Sequence, residues 1–290
     1  MFLLYFVLAC VAESGLLRSK TLLSVLLGFG CTTLAVCSLS SVDDERKRKR
    51  MAVLLSFIPC SAMLPMLMLM LTTVMHVSFW WVFVVYFLSI CIGLLFATFW
   101  NWTQDAQDRP CGAQGKWSCH PIPKRKLHFP NLWIALKQSF MKTLSFAKKI
   151  LIAFIVSAFV ITILARFTFA FRYTAQNEDS ILFHICGMLS PVFVPIGLNN
   201  PAIICALLFG VIAKESAVSV LLLFPQIVAG MSAATAASLI TFYTLYPVCV
   251  SCCVAVAAHC GKRTMPKLFA IQLAAAYIFS FIVYRICVIM

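Results

Sequence analysis

The chain has 290 residues, of which 62% are hydrophobic and only 11% charged, and its mean hydropathy is +0.98. Ordinary soluble chains carry roughly 25% charge, so a water-soluble domain of this composition is excluded. The net charge of +14 is gathered into blocks, Arg46-Lys47-Arg48-Lys49-Arg50, Lys124-Arg125-Lys126, Lys148-Lys149 and Lys262-Arg263, beside apolar runs. Such blocks mark cytoplasmic loops. No stacking or groove-reading motif accompanies them, so no nucleic-acid partner is expected.

Taken in chain order, segment 2–12 comes first and is too short to cross a bilayer, which needs about 20 residues. It reads as a retained half-helix, because no basic segment precedes it and Glu13 stands where a cleavage site would need small residues. Apolar spans are then predicted at 21–41, 52–73, 77–99, 150–172, 181–198, 201–224, 233–258 and 268–286. The fold class is all-α: a polytopic transmembrane helical bundle of about eight or nine membrane segments, some broken or re-entrant. Three parts are expected, a first half over 1–100, a basic cytoplasmic loop over 101–149 and a second half over 150–290. The Lys/Arg pattern places 43–50, 101–149 and 261–267 inside, and 74–76 and the acidic turn 177–179 outside. The lipid bilayer is thus the first partner, and the expected location is the cell membrane, multi-pass.

Prolines interrupt several spans: Pro59 and Pro65, Pro191 and Pro195, and Pro247. Proline removes a helix donor and clashes with the preceding turn. Inside hydrocarbon the freed carbonyls need protein or a wet cavity as partner. Broken helices in both halves of a chain point to a transport site. Carboxylates in apolar surroundings point the same way, and here they are Glu13 and Glu215. A thiol joins each region: Cys31 after Gly28-Phe29-Gly30, and Cys249, Cys252 and Cys253 after Pro247. The rival reading of Glu215 is a local ion pair, but adjacent helical residues do not face each other, so Lys214 is a poor partner.

Several motifs in order carry a resemblance: Glu13-Ser14-Gly15, Gly28-Phe29-Gly30-Cys31, Cys60-Ser61-Ala62-Met63-Leu64-Pro65, Leu189-Ser190-Pro191, Gly210-x-x-Ala213-Lys214-Glu215 and Leu245-Tyr246-Pro247-Val248-Cys249. Together they resemble the membrane part of the ferrous iron transport protein B family, whose two gate segments carry such motifs. The resemblance runs the length of the chain and weakens over 101–135. It implies Fe²⁺ as transported substrate, no permanently bound cofactor, and gate-motif roles for Gly28, Gly30, Thr32, Thr33 and Pro247. Departures fall on the gates. The family's Asn-Val-Pro-Ala is Thr32-Thr33-Leu34-Ala35 here, its arginine is Met63, and its second-gate proline is shifted by one to Pro247. The stretch from Glu13 to Gly28 is shorter than the family's. The family's GTPase domain has no counterpart, since no Gly-x-x-x-x-Gly-Lys-[Ser/Thr] loop occurs. A separate GTPase subunit is therefore an expected partner, as is a second copy of the chain. The alternatives are a shortened, non-transporting membrane subunit, or a carrier for another divalent metal or a nucleoside-like solute.

The chemistry also stands on the residues alone. Fe²⁺ accepts thiolate, imidazole and carboxylate ligands, while thiolates discriminate against Mg²⁺ and Ca²⁺. A conducting path binds weakly at several sites. Cys31 with the Thr32 and Thr33 hydroxyls, and Cys249 with Cys252 and Cys253, read as two waypoints; Cys60, beside Pro59, reads as a further metal ligand, and Glu13 and Glu215 as added charge. Cys10, Cys37, Cys91, Cys186, Cys205 and Cys287 lie singly in apolar spans and read as small hydrophobes. Cys111, Cys119 and His120 supply three ligands where structural zinc takes four, so they read as solvated loop residues. Met63, Met66, Met68 and Met70 read as lipid-facing filler. No Gly-x-Ser-x-Gly, His-Glu-x-x-His or dinucleotide fingerprint occurs, and no enzyme is expected.

Overall fold

A computed structural model describes residues 19–42, 44–107, 181–247 and 249–289, with a few helical positions between 151 and 163. Segment 2–12, Glu13, most of span 150–172, and Cys111, Cys119 and His120 lie outside the described residues. Among those described, all regular structure is helical. Four helices are long and apolar enough to cross a membrane, and a fifth span results if one bent pair is counted as one.

The first expected span, 21–41, is two helices, α1 (Ser19–Gly30) and α2 (Thr32–Ser38). At the joint Cys31 is extended, with φ −144° and ψ 114°. The Ser38 hydroxyl then donates to the Ser24 hydroxyl at 2.6 Å. In a continuous helix residues 14 apart would stand roughly 21 Å apart, so the chain turns back at Cys31. The span is a helical hairpin with Cys31 at its tip.

Helix α3 (Glu45–Phe57) begins seven positions before the expected span at 52. The reason is an N-cap: the Asp44 carboxylate accepts from the backbone amides of Arg46 and Lys47 at 3.0 and 3.3 Å. The basic run is therefore the first turns of a helix, with Lys49 paired to Glu45 at 2.7 Å. After a break at Ile58–Cys60 the span resumes as a short 3₁₀ turn, α4 (Leu64–Leu69) and a π turn ending at Val74. Pro65 opens α4 rather than breaking it, a position where a missing amide costs nothing. Met63, Met66 and Met70 are buried, in core rather than against lipid. Their spacing of three and then four puts them on one helix face. Helix α5 (Trp81–Gln107) follows, with Trp80 and Trp81 exposed at its start, where interfacial aromatics sit.

The second half repeats this order. Helix α6 (Ile181–Phe193) carries Pro191 and meets α7 (Pro201–Ile212) at 99°. The turn between them needs Gly197, at φ +75°, where a Cβ would lie 2.2 Å from the Tyr284 ring. Helix α7 gives way at Ala213, again extended, to α8 (Lys214–Leu222). A Cβ on Gly210 would stand 3.2 Å from that of Ala217, whereas seven residues of continuous helix span roughly 10 Å. Span 201–224 is thus a second hairpin, tipped by Ala213-Lys214-Glu215. A short α9 (Pro225–Ala229) leads to α10 (Ala233–Leu245), a break at Tyr246–Cys249, α11 (Val250–Cys260) and the long α12 (Thr264–Ile289). Residues 19–107 and 201–289 are each built as hairpin, interrupted span and long helix.

Polar side chains tie the units together, as membrane helices lacking a hydrophobic drive require. Ser280 donates to the Ser238 carbonyl at 2.9 Å, joining α12 to α10, and the Tyr277 hydroxyl donates to the Val192 carbonyl at 2.8 Å. Between halves, the Gln272 amide donates to the Ser56 carbonyl at 2.8 Å. Ala236, Ala275 and Ala276 are buried, the small residues that let helices approach closely.

Candidate functional site

Both hairpin tips and both helix breaks open onto one cavity of about 490 Å³. The first tip supplies Gly30, Cys31, Thr32 and Thr33, and the first break supplies Ile58, Cys60 and Ser61. The second tip contributes Ala213, Lys214 and Glu215, and the second break Cys249, Ser251 and Cys252.

Each break is satisfied by the opposing structure, as backbone in an apolar interior must be. The Ser61 hydroxyl donates to the Gly30 carbonyl at 2.8 Å, locking the first tip to the first break. The Tyr86 hydroxyl donates to the Cys60 carbonyl at 3.2 Å. In the second half the Tyr243 hydroxyl donates to the Lys214 carbonyl. The Lys214 ammonium in turn donates to the Tyr246 carbonyl at 3.4 Å, the group just before Pro247. Pro59 and Pro247 are both buried in these joints.

Lys214 is only 3% exposed. Its Nζ lies 4.2 Å from the Tyr246 ring centroid and 5.6 Å from that of Tyr243, an aromatic cage for a cation. No carboxylate pairs with it among the described residues. Glycine at 210 is what admits the cage, because a Cβ there would lie 2.6 Å from the Tyr246 Oη. Glu215, one residue on, is exposed and points away from Lys214, as neighbouring helical positions do.

The thiols differ in access. Cys31 is exposed, Cys60 and Cys249 half-buried, and Cys252 fully buried. All are free. Thr32 and Thr33 are nearly buried behind Cys31, each 7% exposed. Gly28 does not line the cavity; it packs under the tip, where a Cβ would touch Leu55 and Ile58. Pro247 shapes the second break without lining the cavity. Cys31, Cys60, Cys249, Cys252 and Glu215 are therefore brought together, while Glu13 lies outside the described residues. No three His, Cys, Asp or Glu side chains among the described residues stand close enough to grip one ion.

Sequence reasoning quoted Lys214, Ser61 and Tyr246 within motifs without giving them a site role, and did not single out Ser251 or Tyr243. Lys214 carried the same signal as Glu215, an ionisable group within an apolar span. Nothing local to the tyrosines signals their role, since it depends on a hairpin reversal 29 and 32 residues away. His76 is exposed with φ +50°, at the turn before α5 and away from the cavity. No family model matches the chain, and neither a curated protein nor a solved structure matches it.

Proposed function

We propose that the chain is a membrane permease domain that passes Fe²⁺ across a bacterial inner membrane, with Cys31 and Cys249 as thiolate waypoints. In this reading the two tips and two breaks are the gates, the chain crosses the bilayer about eight or nine times, and a separate GTPase subunit energises it. The carrying observation is the convergence of four thiols and Glu215, from both halves, on one cavity at the helix breaks. Duplicated units with discontinuous helices are how many carriers build a substrate site. Thiol ligands suit Fe²⁺ and reject Mg²⁺. The absence of a three-ligand cluster among the described residues suits a path, where an ion must leave as readily as it enters.

Lys214 favours a second reading. A buried ammonium beside the cavity repels a divalent cation and attracts an anionic group, which suits a carrier for a different, partly anionic solute. One experiment separates the two. In reconstituted protein under reducing, anaerobic conditions, Fe²⁺ should slow alkylation of Cys31 and Cys249, and Mg²⁺ should not. Equal alkylation with and without Fe²⁺ would remove the metal reading.

A further inference from the structure

Cys186 and Cys205 stand apart from this cavity. Read from sequence they are solitary small hydrophobes, yet their sulfurs lie 2.7 Å apart, one on α6 and one on α7. Both are free and buried, 0% and 7% exposed. They sit with Ile204 in a small cluster of their own, under Phe183, Phe193, Leu208 and Phe209, separate from the main core. A closing movement of roughly 0.65 Å would bring the sulfurs to bonding distance, about 2.05 Å.

The two helices make a 99° bend. Much of its length is uncovered: Met188 is 80% exposed and Val192 56%. Among the described residues its attachments include this cluster, the turn at Val194–Ile196, the Ser190 hydroxyl donating to the Asn199 carbonyl, the Phe193 ring against that of Phe242 and the Tyr277 bond to Val192. A covalent link between α6 and α7 would add a tie across this bend.

We propose that Cys186 and Cys205 form a reversible disulfide that staples α6 to α7. In the forward step both S–H bonds break and one S–S bond forms. Two electrons and two protons pass to the oxidant, a peroxide reduced to water or a protein disulfide reduced to a dithiol. A dithiol reductant reverses it by exchange.

The test uses the full-length chain in lipid nanodiscs, oxidised with hydrogen peroxide or held reduced, then denatured, alkylated and digested for mass spectrometry. The oxidised sample should yield one linked peptide pair joining Cys186 to Cys205, two hydrogens lighter than the separate thiols. The reduced sample should yield both cysteines alkylated. Cys186→Ser should leave Cys205 fully alkylated after oxidation, and Cys205→Ser should do the same for Cys186. The wild-type result needs no mutant to fold. Alkylation of both cysteines after oxidation, or linkage of either to a different cysteine, would overturn the proposal.

Discussion

Lys214→Met keeps most of the side chain's length and removes its charge, which makes it the most informative single change at the cavity. The attractive side of the balance is small. Hydrogen bonds to charged groups contribute about 1.5–3 kcal/mol, and at 3.4 Å the bond to the Tyr246 carbonyl belongs at or below the low end. A desolvated cation over aromatic faces gains about 2 kcal/mol, and the Tyr246 and Tyr243 rings lie at 4.2 and 5.6 Å. Against these stands the loss of hydration, several kcal/mol for a buried ion with no carboxylate beside it among the described residues. The terms nearly cancel or favour the neutral side chain. Lys214→Met should be as stable as wild type or more stable by up to about 2 kcal/mol, a rise of roughly 4–8 °C at the 2–4 °C per kcal/mol of larger domains. Thermal unfolding in detergent, followed by tryptophan fluorescence, reads this directly. A fall of several degrees would refute the reasoning and make Lys214 a structural pin. Unchanged or raised stability leaves function as the reason for keeping a costly charge.

Other changes read the fold around the site. Gly210→Ala places a Cβ 2.6 Å from the Tyr246 Oη; it should cost about 1–3 kcal/mol in the same melt, the range for overpacking. Gly197→Ala adds a left-handed strain of about 1–2 kcal/mol to a clash with Tyr284 at 2.2 Å, so it should be the more damaging of the two glycine changes. Asp44→Ala removes the cap on Arg46 and Lys47 and should cost about 1 kcal/mol, seen as faster amide exchange confined to the first turn of α3.

Helix interruption was legible where proline signalled it. Pro59 and Pro247 lie at breaks, and the thiols written beside them, Cys60 and Cys249, line the cavity. Re-entrant segments were expected, but where the chain reverses was not legible. Spans 21–41 and 201–224 are apolar enough to read as crossings, because hydropathy measures length and not direction. The turns at Cys31 and Ala213 use extended backbone at ordinary residues, without proline or a positive-φ glycine. What holds them is distant in sequence: Ser61 on the Gly30 carbonyl and Tyr243 on the Lys214 carbonyl. The early start of α3 could have been read, since Asp44 followed by Glu45 is a helix-start pattern. The basic character of the next five residues drew the boundary too late.

The central claim is that thiols from both halves form one metal path, and uptake of Fe²⁺ into proteoliposomes under reducing conditions tests it most directly. Wild-type protein, supplied with any GTPase subunit that co-purifies with it, should give saturable uptake. The Cys31→Ser/Cys249→Ser double variant, with unchanged thermal stability, should lose it. Equal uptake by both proteins, or none by well-folded wild type, would contradict the account.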